Sequence, residues 1–161
     1  MKHLSRIAVL LLLVAACQNK AENQSNTSTE NTMEQTTEKT AIEKLLFSYR
    51  DALNASDVNK VLPLYTSDGV FMPSNAPSAI GQEQVKAAYE FVFSQIQLNI
   101  QFYIDEIMVN DNYAFARTTS KGSTLIHANK QTVAEENREL FVLQKTNGQW
   151  KIARYMFNKM K

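Results

Sequence analysis

The chain has 161 residues, 44% hydrophobic and 20% charged, and its 17 Lys and Arg against 16 Asp and Glu leave a net charge of +1. That length suits one core and a tail, and the near-neutral balance excludes a nucleic-acid partner held by general electrostatics. One Cys and two His exclude an internal disulfide framework, a Cys-rich zinc site and a multi-His metal centre. No cofactor is expected.

Lys2 and Arg6 precede an unbroken apolar run from Ile7 to Ala16. As a helix that run rises only about 15 Å, too little to span a bilayer, and a basic start, a short apolar stretch and small closing residues describe a secretory signal. Val14-Ala15-Ala16-Cys17 resembles the lipobox of bacterial lipoproteins. The resemblance implies a signal peptide over residues 1–16, diacylglyceryl transfer to the Cys17 sulfur, cleavage before Cys17 and acylation of the new amino group with chains such as palmitate. Two or more acyl chains anchor stably where one is marginal. The lipid bilayer is therefore an expected partner, and the bacterial cell envelope the expected location. Gln18 in place of Asp carries no inner-membrane retention signal, so the outer membrane is expected if the cell is Gram-negative.

Residues 17–39 are almost wholly Asn, Gln, Ser, Thr, Glu and Lys after the Cys, with Met33 the one large apolar side chain. Too little surface can be buried there to offset ordering entropy, so a disordered tether is expected. The folded domain is expected over residues 40–161, starting with a capping box at Thr40-Ala-Ile-Glu43. Ile42, Leu45, Leu46, Tyr49 and Leu53 then form one helical stripe. Asp57 can cap a short helix over residues 58–65, Gly69–Met72 reads as a strand ended by Pro73, and residues 82–97 read as a third helix.

Beyond it the period changes from helical to strand-like. Leu98–Val109, Tyr113–His127, Thr132–Lys145 and Gln149–Asn158 read as strands. Asn147-Gly148 is a strong hairpin signal, because both residues tolerate positive φ. Helices first and a meander afterwards make the class α+β.

Ser48–Asp57, Leu64–Val70, Ile80-Gly81 opening a helix to Tyr89, Arg138–Leu143 and Asn147–Arg154 are similar to stretches of the nuclear transport factor 2-like superfamily, which includes ketosteroid isomerase, scytalone dehydratase and the SnoaL-like polyketide cyclases. The resemblance covers residues 40–161. It implies a cone-shaped curved antiparallel sheet wrapped around three N-terminal helices, with a mostly apolar pocket inside.

Residue by residue, the isomerase's oxyanion-side tyrosine falls on Tyr49 and its oxyanion-hole acid on Glu139, whereas its general base falls on Pro73, which cannot take a proton. No catalytic residue is therefore assigned. The expected pocket residues are Tyr49, Tyr65, Phe71, Tyr89, Arg117, Glu139, Phe141 and Tyr155. Two readings of Glu139 stand: a neutral donor in a dry pocket, or an ion pair with Arg117 or Arg154. Phe93, Phe102 and Phe115 join the aromatic residues expected in the core. His127 is expected at the surface, and Ser48, Ser67 and Ser74 have no His partner for nucleophilic hydrolysis.

Three functions fit. One is a membrane-anchored lipoprotein binding a small apolar or amphipathic ligand, or a protein, without catalysis. The second is an isomerase, dehydratase or cyclase using Tyr49 and Glu139; the third is an assembly partner with a filled cone. With Glu139, Phe141 and Leu143 facing in, Leu140, Val142, Ile152 and Met156 are expected on an outer apolar face that supports a homodimer.

Overall fold

The computed structural model of the protein describes residues 22–160, with side-chain surroundings from Thr32 onward. The signal peptide, Cys17 and the tether as far as Ala21 lie outside the described residues. The chain divides into two units, residues 1–34 and 35–161.

Helix α1 runs Glu22–Asn54. Two expectations are corrected here: residues 22–39 are helical rather than disordered, and Thr40 does not open a helix. Its hydroxyl donates to the Thr36 carbonyl, 3.0 Å away inside the same helix. No Gly or Pro interrupts residues 22–54, and tertiary contact holds the helix beyond Thr40. Glu38 accepts from Lys145 Nζ at 2.7 Å and from Trp150 Nε1 at 2.6 Å. The predicted apolar stripe is the buried one: Ile42, Leu45, Leu46, Tyr49 and Leu53 are all buried.

Asp57 caps α2 (Val58–Val61), accepting from the Asn59 and Lys60 amides. Pro63 then lies in a 3₁₀ turn, Leu62–Leu64. Strand β1 (Tyr65–Met72) stops at Pro73, β2 (Ala79–Ile80) pairs with it, and α3 spans Gly81–Gln95. Strands β3 (Ile96–Asn110), β4 (Tyr113–Ile126), β5 (Thr132–Thr146) and β6 (Gln149–Lys159) complete a six-stranded sheet in the order β2-β1-β6-β5-β4-β3. The sheet is mixed rather than antiparallel throughout, because β1 pairs with β6 in parallel. Asn147 and Gly148, at φ 51° and 76°, form the β5–β6 turn their dipeptide predicts.

Three register shifts shape the sheet: in β1 between Tyr65 and Val70, in β3 between Ile104 and Glu106, and where β6 passes from Ile152 to Arg154 opposite β5. Bulges of this kind bend a strand and increase its twist. At Gly122 a Cβ would collide with the Asn99 carbonyl oxygen, so the close approach of β3 and β4 requires glycine. Asn54, at the end of α1, reaches the edge strand: its Oδ1 accepts from Ile100 N at 2.9 Å and its Nδ2 donates to Ile100 O at 2.8 Å. One amide thus takes up an N–H and a C=O of that edge.

The bulge in β6 corrects the outer face. Leu140 and Met156 are 40% and 38% exposed there, as expected, and Val142 is half-buried. Ile152, however, is wholly buried, because the extra residue shifts the alternation and turns it inward. Phe115, expected in the core, pairs with Val142 on the outer face, between inward-facing Ala114 and Ala116.

Candidate functional site: a buried carboxyl group among tyrosine hydroxyls

The inner stripe of α1 carries Tyr49 into the space enclosed by the sheet, where β1 supplies Tyr65 and Phe71, α3 Tyr89, β5 Glu139 and Phe141, and β6 Tyr155. All seven side chains are buried. Tyr49 is the hub, its ring centroid 5.3 Å from Tyr155, 5.7 Å from Phe141, 6.2 Å from Tyr65 and 6.3 Å from Tyr89. Phe141 stacks on Tyr155 at 4.5 Å and Phe71 on Tyr89 at 4.7 Å. Edge and offset contacts of this kind add to the stabilisation from buried area.

Four hydroxyls find their partners among themselves. Tyr49 bonds Tyr89, Tyr89 bonds Tyr65 at 2.8 Å, and Tyr155 is hydrogen-bonded both to Tyr49 and to Glu139. Burial raises the pKa of all four phenols above the ordinary tyrosine value, so each remains a neutral donor near pH 7.

The run ends on Glu139, 3% exposed. Thr118 donates to its Oε2 at 2.9 Å, and the Ser120 and Tyr155 hydroxyls also bond it. Burial pushes this carboxyl up to about 7, the three hydrogen bonds opposing that rise. Of its two sequence readings, the ion pair is not the one observed. Arg117, 54% exposed, reaches Asp105 at 3.1 Å and Glu106 at 3.7 Å, while Arg154 reaches Asp68 at 3.6 Å. Arg117 is thus corrected as a residue of the inner site: strand alternation turns it to the outer face while Thr118 faces in.

Pro73 directly follows β1 and brings no titratable group to the site. Among the described residues, Glu139 is the one buried side chain that can carry a charge near neutral pH. The arrangement therefore offers several donors around a single carboxyl group, without a second acid or base beside it. His127 is half-buried, its Nδ1 2.9 Å from the Ser94 carbonyl at the end of α3.

Thr118, Ser120 and Asn137 were not singled out in the sequence. Alternation could have found them, since Asn137 shares a face with Glu139 and register sets Thr118 and Ser120 opposite that pair. A depression of about 250 Å³ is lined by Arg117, Arg138, Leu140, Met156 and Asn158 together with Glu139 and Phe157.

The family described as the SnoaL-like domain matches residues 42–157, and the chain belongs to that family. A ketosteroid isomerase-like protein from Erwinia carotovora atroseptica SCRI1043 is 30% identical, with a TM-score of 0.73 over 76% of this chain and 95% of that one. An NTF2-like protein with a cystatin-like fold from Novosphingobium aromaticivorans superposes at a TM-score of 0.65 and 13% identity, covering 84% of this chain and 90% of its own. A conserved protein from Planctomyces limnophilus DSM 3776 does so at 0.66 and 18% identity, covering 78% and 99%. These last two likenesses concern the fold alone. No curated protein matches the chain.

Proposed function

We propose that the protein is a lipid-anchored lipoprotein of the bacterial cell envelope, and that its SnoaL-like domain binds a small apolar or amphipathic molecule at the Glu139–tyrosine cluster without converting it. The anchor rests on the lipobox ending at Cys17. The observation that carries the binding reading is the imbalance of the site: a chain of four phenolic hydroxyls runs up to one carboxyl group through Tyr155, and Pro73 occupies the position of the isomerase's base. Such a site can hold a carbonyl or hydroxyl oxygen, yet it has no second group to receive a proton taken from carbon.

Native mass spectrometry of the full chain, extracted in detergent from its host, tests the binding. A retained small molecule is expected. Tyr49→Phe and Glu139→Gln are each expected to weaken its binding about tenfold, the effect of one buried hydrogen bond. An empty protein, or unchanged affinity in both variants, counts against the site.

One observation favours a second reading, an isomerase, dehydratase or cyclase. A carboxyl group held at about 7 suits general acid–base work near neutral pH. Double-bond migration in a ketosteroid is expected to be absent. Turnover that Glu139→Gln abolishes would establish the enzyme instead.

A further inference from the structure

We propose that the amide oxygen of Asn137 is a second recognition point beside Glu139, one that selects hydroxyl-bearing apolar molecules over their ketone and ether counterparts. This rests on the ligand-binding reading above and names the chemical class that the site takes.

Cross-strand register lays out two adjacent rows on the inner face. One runs Ile104, Thr118, Glu139, Phe157; the other runs Phe102, Ser120, Asn137, Lys159. Asn137 and Glu139 are next neighbours on one face of β5, since side chains on a strand repeat every second residue. The polar centre of the two rows is framed by Phe102, Ile104 and Phe157, of which the last two are only half-buried. A small apolar molecule can lie against that frame.

Asn137 is 6% exposed. Its Nδ2 donates to Ser120 Oγ at 3.3 Å, while its Oδ1 has no hydrogen-bond partner. With its N–H₂ turned to Ser120, the amide leaves its oxygen without a donor. The neighbouring donors are engaged elsewhere: Thr118 donates to Glu139, and the Lys159 ammonium, opposite Asn137 in register, is 3.3 Å from Glu135.

A buried acceptor without a partner destabilises the fold, a cost that an apolar side chain of similar size would avoid. A ligand hydroxyl supplies the missing donor; a ketone or an ether oxygen brings only another acceptor against Asn137. Discrimination built on a buried polar group left unpaired by the wrong ligand is strong compared with discrimination by apolar fit.

The test measures 2-naphthol and 2-methoxynaphthalene binding to the full chain in detergent by calorimetry, with Asn137→Leu and the milder Asn137→Ser alongside. The wild type is expected to bind 2-naphthol about tenfold more tightly than the ether. Asn137→Leu is expected to remove that preference, lowering 2-naphthol affinity about tenfold and leaving the ether within about twofold. Should Asn137→Leu fail to fold, Asn137→Ser carries the comparison, and a shortened side chain is expected to lose the preference too. Equal losses for both probes, or no loss in either variant, would overturn the assignment. A wild type that binds both probes alike overturns the role of Asn137 and leaves the ligand-binding reading standing. Failure of both probes to bind removes both.

Discussion

Thr118 Oγ1 donates to Glu139 Oε2 at 2.9 Å across the β4–β5 pair. Glu139 thus meets a neutral hydroxyl on the inner face, while Arg117 and Arg154 pair with Asp105 and Asp68 elsewhere. A carboxyl group buried without a cation is stable in its protonated form and strained in its charged one.

Stability should therefore depend on pH with a definite sign. Glu139 titrates at about 7 in the folded state, against an ordinary value of 4.5. Between those limits the folded protein holds a proton that the unfolded chain has released, so stability falls as pH rises from 4.5 to 7. The full effect is about 3 kcal/mol, from the conversion of pKa shifts to free energy. Urea unfolding at pH 5 and pH 8 measures it, and Glu139→Gln is expected to flatten the difference. The same slope in wild type and variant would refute the assignment.

Glu38 ties α1 to the β5–β6 hairpin through Lys145 and Trp150. Glu38→Ala is expected to cost about 1 kcal/mol, since both bonds are charge-assisted but the pair is partly exposed. Trp150 is the sole tryptophan and 6% exposed. Its emission should shift to the red in the variant, and amide exchange in residues 35–41 should quicken. Unchanged exchange would show that the helix holds without this contact.

Maturation is tested at the lipobox. Cys17→Ser is expected to abolish membrane anchoring and labelled-palmitate incorporation, leaving precursor or a released soluble form. Palmitate that still enters the variant would sink the lipoprotein reading.

Association of two copies is expected through the outer face, where Leu140 and Met156 lie side by side in register. Light scattering at micromolar concentration should give twice the protomer mass, and Leu140→Asp should give the protomer. A wild type that scatters as a monomer would rule the pairing out.

The amphipathic stripe from Ile42 to Leu53, the Asp57 cap and the Asn147-Gly148 turn were legible because each is a local pattern, set by neighbours within a few residues. The four strands were legible for the same reason, their alternation being strict over most of their length. Pattern alone could not foresee the bulge that turns Ile152 inward, since a bulge is a property of two strands in register. Nor could it foresee the anchoring of the helix at Glu38, whose partners lie in β5 and β6, far along the chain.

At the site, the sequence by itself determined which groups were available: tyrosines, one carboxylate at position 139, and a proline at position 73. Only the tertiary structure decided their pairing. The sequence pattern left Arg117 and Arg154 open as partners of Glu139; in the fold both arginines face outward, and strand pairing brings Thr118, Ser120 and Tyr155 to the carboxyl group instead. The physical reason is distance along the chain. Hydrophobic periodicity reports the face a residue takes on its own element, whereas the charge a buried group carries depends on atoms that folding brings from other strands and excludes from water.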